Sequence, residues 1–201
     1  MGGKESRAGT IVYGCCTVFT LVGTALSFTG LFLPYWYVKK YVTGIVVTKV
    51  HVGLWVDRVC VGEDECENHW ISSGDYDRHD LAMMPSGVLI RWFETVGVTL
   101  AVMSLVAMVF VWVARFKRPM IKTFSHVCYF TPVMIAGFFC VIGTLILASK
   151  DKADGADWAP FFSGIGGALL FVAGCMSCII FRYDPSYGTL ENPVSPKYIS
   201  S

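Results

Sequence analysis

Four long apolar runs, separated by one large segment that carries tryptophan and cysteine, constrain this chain more than any other feature. They lie at about 11–34, 88–114, 124–149 and 159–181. Each exceeds the roughly 20 residues that an α-helix needs to cross a hydrocarbon core about 30 Å thick. Only the second run holds full charges, Arg91 and Glu94, both near its start. A soluble bundle helix keeps a polar stripe toward water, whereas 96–114 and 132–148 are apolar on every face. The expected architecture is a membrane all-α four-helix bundle, forming a single domain over residues 1–201. With 54% hydrophobic and 15% charged residues, the composition suits a surface that faces lipid. The net charge of +1 gives no sign of a nucleic-acid partner. Lys4 and Arg7 precede the first run as in a secretory signal, but the run is too long for an h-region and no small-residue cleavage pattern follows it, so it is expected to stay as a helix.

Orientation follows from the short segments. The link between the second and third runs holds Arg115, Lys117, Arg118 and Lys122 with no acid, and Lys4 and Arg7 lie at the amino end. Both are expected in the cytosol, which places the tail 182–201 there too. Residues 35–87 and 150–158 then form two outer loops. Of eight cysteines, only Cys60 and Cys66 fall in a segment assigned to the oxidising side, so a disulfide between them is expected. The alternatives are two free thiols or a metal site, although no second cysteine pair stands nearby to complete a zinc site.

From Val42 to Val56 the first outer loop is dense in β-branched and aromatic residues, with Gly44 and Gly53 as bends. Two or three antiparallel strands are the natural reading, supported by the cysteine link and by packing of Trp36, Trp55 and Trp70. The order Trp36, then Gly53-Leu54-Trp55, then Cys60 and Cys66, between a first and a second span, resembles the signature of the claudin superfamily. That group takes in claudins, the peripheral myelin and epithelial membrane proteins, and the calcium-channel γ and AMPA-receptor auxiliary subunits. The resemblance covers span number, loop sizes and orientation as well as the motif. Four residues separate Trp55 from Cys60, two more than the usual pattern, and the two cysteines stand closer than is typical. The resemblance implies a left-handed four-helix bundle carrying a small extracellular antiparallel β-sheet, with the disulfide joining neighbouring strands.

Further expectations come from the residues themselves. Small residues at four-residue spacing, Gly23 and Ser27, Ser163 and Gly167, Gly164 and Ala168, suit close contact between the first and fourth spans. Pro132 should interrupt the hydrogen bonding of the third. Arg91 and Glu94, three residues apart, suit an ion pair near the interface, the alternatives being that Arg91 caps sheet carbonyls or that Glu94 meets an ion or partner. Over residues 37–84 eight acids face five bases, a balance of −3, and Glu63, Asp64, Glu65 and Glu67 cluster about the cysteine pair. Such a cluster attracts cations within about a Debye length, roughly 8 Å in physiological salt, unless it is only solvated surface. Cys15, Cys16, Cys175 and Cys178 are juxtamembrane candidates for palmitoylation, or else buried free thiols.

No phosphate loop or helical histidine pair appears, and Asp75, Asp77 and Asp80 lack the glycine and closing glutamate of a calcium loop. No metal, cofactor or catalytic activity is expected. The chain ends Tyr198-Ile199-Ser200-Ser201, without an apolar terminal anchor for a scaffold domain. The resemblance thus implies a multi-pass plasma-membrane protein of cell-cell junctions, associating with lipid and with itself or a similar protein, in cis and trans. It implies as the alternative an auxiliary subunit that binds an ion channel or receptor.

Overall fold

The computed structural model describes residues 7–43, 46–62, 65–71, 84, 86–115, 122–149 and 155–183. Gly44, Glu63, Asp64, the triplet Asp75, Asp77 and Asp80, the basic residues Lys4, Lys117 and Arg118, and the tail beyond 183 lie outside these residues. Four helices form the body: α1 (Arg7–Phe32), α2 (Gly87–Arg115), α3 (Lys122–Ala148) and α4 (Ala159–Tyr183). At 1.5 Å per residue they are roughly 38 to 44 Å long, more than the hydrocarbon thickness. Each contains a segment long and apolar enough to cross a membrane. Their outward faces carry exposed apolar side chains such as Val18, Phe28, Met103, Phe110, Phe161 and Ile165. A surface of this kind has no stable place in water and suits lipid. The chain is a multi-pass membrane protein.

Several hydroxyls inside the helices are satisfied locally. Thr20, Thr24, Ser104 and Ser177 each donate to the carbonyl four residues earlier at 2.7 to 2.8 Å, which leaves their methylene or methyl groups to pack. Pro132 lies within α3, whose helix runs through it.

α4 packs along both α1 and α3, α3 also packs along α2, and a lighter α1–α2 contact closes the bundle. Small residues set these distances, because van der Waals contact and not water exclusion holds helices together in lipid. A Cβ on Gly23 would sit 2.8 Å from the Gly166 carbonyl oxygen, so α1 and α4 touch backbone to backbone. Ser27 and Gly30 continue that face against Gly166 and Ser163. The other expected contacts are corrected. Gly164 meets Thr144, Gly167 meets Cys140 and Val141, both on α3, and Ala168 is exposed. Four-residue spacing selects a helix face but not the neighbour that covers it.

Above one end of the bundle stands a four-stranded antiparallel meander, where the composition pointed to two or three strands: β1 (Tyr37–Thr43), β2 (Val46–Val52), β3 (Val56–Val61) and β4 (Glu65–Trp70), in spatial order β1-β2-β3-β4. β4 escapes the composition argument because its sequence is polar and all six of its residues are exposed. β1 begins five residues after α1 ends, and the β2–β3 turn returns to the same place, where a Cβ on Gly53 would lie 2.8 Å from Pro34 Cα and 2.9 Å from the Leu33 carbonyl oxygen. The β1–β2 and β3–β4 hairpins therefore point away from the bundle, about 20 Å out for strands of this length.

The core runs without a break from cap to bundle. Trp36, Val50, Val52, Leu54 and Met84 join Leu31, Ile90, Val98, Cys140, Leu147 and Ala159 in one buried cluster. A second cluster, Ala101, Val133, Ala136, Leu170 and Ala173, lies deeper among the helices.

Candidate interface between sheet and helix bundle

Trp36 is the pin of this junction. Its side chain is fully buried, and its indole Nε1 donates to the Gly30 carbonyl at 2.7 Å, one of the carbonyls that the end of α1 leaves without a helical partner. Its backbone N–H donates to Val52 and its carbonyl accepts from Asp157 N at 3.2 Å. Gly53 permits the β2–β3 turn to press on α1, Leu54 fills the core, and Asp57 fixes the turn by accepting the Gly53 N–H at 2.9 Å. Asp57, buried on β3, was not singled out from sequence; its place four residues after the glycine is the signal that would have found it.

Trp55 lies under Arg91, whose guanidinium carbon is 3.7 Å from the ring centroid. Arg91 Nη2 also reaches the Ile71 carbonyl at 3.5 Å. The ion pair expected between Arg91 and Glu94 is absent among the described residues. Arg91 turns up to the sheet and Glu94 turns into the bundle, where Ser163 Oγ donates to its Oε2. The aromatic face and carbonyl above, and the hydroxyl within, each offer a separate partner. Glu94 is fully buried about two turns into α2, and its other oxygen lies against Gly143 of α3.

Cys60 and Cys66 are joined by a disulfide. They sit directly opposite each other in the β3–β4 register, with Cα atoms 4.1 Å apart, so the bond staples an otherwise unburied edge strand to the sheet. Trp70, expected to pack, is instead 72% exposed. It pairs with Val56 at the bundle end of β4, the level at which an indole suits the membrane–water boundary.

Residues 155–159 close the opposite edge. Tyr37 bridges to Ala156, Ala159 N donates to the Tyr35 carbonyl at 2.9 Å, and His51 Nδ1 lies 3.1 Å from Asp157 Oδ2. Tyr35 stacks on Trp158 and accepts a 2.6 Å hydrogen bond from Arg58. His51 and Asp157 are 106 residues apart, and nothing in their local sequence signals the contact.

Charge is unevenly spread over the sheet. β1 and β2 hold Lys39, Lys40 and Lys49 with no acid, and Lys40 faces Lys49 across the ladder. β3 and β4 hold Asp57, Glu65 and Glu67 against Arg58. Glu65 and Glu67 are exposed beside Cys66, with His69 Nε2 3.7 Å from Glu67. At the distal hairpins Val42, Val47 and Val61 are exposed, Val42 by 72%. Of the four thiols considered for acylation, Cys15 and Cys178 are exposed, Cys175 is partly so, and Cys16 is enclosed, which removes Cys16 as an acceptor in the packed bundle.

Among the described residues no cluster of three metal-binding side chains of the His, Cys, Asp and Glu type occurs. No protein-family model matches the chain, and no curated protein shows significant similarity to it.

Proposed function

We propose that this chain is a claudin-like membrane protein of cell-cell junctions, contributing to adhesion and to a paracellular barrier or cation-selective path through its sheet and the 150–158 loop. In this reading both termini are cytosolic and the sheet is extracellular. The observation that carries it is the construction of the sheet: a disulfide-stapled cap, pinned to the bundle by Trp36 and the Gly53-Leu54-Trp55 turn, in which, among the described residues, the edge strand β4 and the valines near the distal end are exposed. Strand edges are normally blunted or paired, and exposed valines at a hairpin tip invite contact. The acidic β4 edge and the lysine-bearing β1–β2 side are complementary, which suits lateral contact between copies. The same acids would favour cations in a narrow gap within about a Debye length.

Expression in non-adherent cells tests the reading. Enrichment at contacts between two expressing cells supports adhesion. In an epithelial layer, Glu65→Lys with Glu67→Lys should lower the sodium-to-chloride permeability ratio. Unchanged gap selectivity, no contact enrichment, and altered gating of a co-expressed channel would together replace this reading with that of an auxiliary subunit. Protease protection of the sheet in intact cells tests the orientation separately.

A further inference from the structure

The sheet separates its charges by face. Side chains alternate along a strand and directly opposed partners share a face, so the ladder sorts the residues of the cap into two sets. One face carries Lys40, Lys49 and the Cys60–Cys66 bond in a single row and, two residues nearer the bundle, His51, Arg58 and Asn68. The other carries Asp57, Glu65 and Glu67 together with Lys39. Lys39 lies over the Tyr41 ring on that second face, 5.4 Å from its centroid. The acids of β3 and β4 thus point away from the face that holds Lys40, Lys49 and Arg58.

Like charges directly opposite across a ladder destabilise it. Lys40 and Lys49 face each other in this way, both are exposed, and among the described residues neither enters an ion pair. Arg58 adds a third cation, oriented by the bond from its Nη1 to the Tyr35 hydroxyl. Asp157 reaches this face from outside the sheet, where it lies against His51. The height of the row narrows what an anionic partner can be. Cys60 stands four residues beyond Val56, which puts the lysine row about 13 Å past the Val56–Trp70 row at the usual strand rise. Headgroups extend only about 5 to 8 Å past the hydrocarbon, so with Trp70 at the boundary the row clears them.

We infer that this face binds an extracellular linear sulfated polysaccharide, with Lys40 and Lys49 clamping one sulfate and Arg58 meeting another. Lysine and arginine offer only donors, which sulfate oxygens accept as charge-assisted bonds. The lysine row and the Arg58 row are about 7 Å apart, so a chain of anionic groups reaches both where a single oxyanion engages one. A bound sulfate also offsets the repulsion between the two lysines. The proposal takes from the junctional reading only that the sheet lies outside the cell.

The test uses the full-length protein in nanodiscs of zwitterionic lipid, titrated with heparin at physiological ionic strength, with chemically desulfated heparin as the control. Binding should require the sulfates and weaken as salt rises. Lys40→Gln combined with Lys49→Gln should weaken it at least about tenfold, the loss expected for two charge-assisted contacts. Lys39→Gln removes the same charge one residue away but from the opposite face, and should weaken it less than about twofold. All three positions are exposed on the ladder, so the variants should fold, and a thermal melt checks that they do. Absence of heparin binding overturns the proposal, as does equal binding of the desulfated polymer. An equal loss in Lys39→Gln and in the double variant shows attraction to the cap as a whole and also overturns it. Discs that self-associate without binding heparin, and lose that association both in the double lysine variant and in Glu65→Lys with Glu67→Lys, give the face to the acidic edge of a second copy and overturn it too. Binding in discs is read without cell contacts, so its failure leaves the adhesion test untouched.

Discussion

Replacing both Cys60 and Cys66 with serine isolates what the β3–β4 bond contributes. All six residues of β4 are exposed, so burial gives this strand little, and among the described residues its attachment rests on the ladder to β3, the disulfide and the Ile71 N–H bond to the Trp55 carbonyl at 3.0 Å. A hairpin with so little apolar cover is marginal in water. The bond closes a loop of sequence separation 6. In the chain-entropy treatment that constraint is worth about 2.3 kcal/mol against the opened strand. Its loss should raise the population of a β4-detached state roughly 50-fold, since every 1.4 kcal/mol is tenfold. The effect should be local, because the deep cluster of Ala101, Val133, Ala136, Leu170 and Ala173 touches neither thiol. Hydrogen exchange of the double variant should therefore show residues 65–70 losing protection by that factor while α2 to α4 keep theirs. Surface delivery should also fall, as cellular quality control responds to exposed strands. A change below about threefold at residues 65–70, or an equal loss over the helices, would refute the view that the bond holds an otherwise weak edge.

Three more predictions rest on single contacts. Trp36→Phe keeps most of the buried ring but orphans the Gly30 carbonyl, and should destabilise by about 1 to 3 kcal/mol in a thermal melt. Gly143→Ala drives a methyl against Glu94 Oε1, at a cost of roughly 1 to 3 kcal/mol. Adding Glu94→Ala to that variant should recover part of the loss, and additivity of the two changes would show that the contact is not made. Asp157→Asn weakens the His51 contact at a site where both side chains are about one-fifth exposed, so the stability change should stay below about 1 kcal/mol, with faster exchange of the amides at 156–159 as the visible effect.

The four spans were legible in the sequence because lipid imposes a length rule that few other environments share, and the helices begin and end within a few residues of the apolar runs. The disulfide was legible because one segment alone offered two thiols outside the spans. β4 was not, since a strand that faces solvent on both sides carries no alternation to read. Nor could spacing decide the fate of Arg91 and Glu94. Three residues apart, the two can meet, but the aromatic ring above one and the hydroxyl beside the other arrive from distant parts of the chain.

Sequence by itself determined the solvent, the number and limits of the spans, and the covalent staple, since these depend on how many apolar residues run together and where thiols fall. Tertiary structure alone decided which helix each glycine faces, that Trp70 stays outside while Trp36 is enclosed, that His51 meets Asp157, and that Ser163 of α4 donates to Glu94 of α2. The physical reason is that partition into lipid is a property of a segment, whereas a close contact is a property of two surfaces brought together by the whole fold.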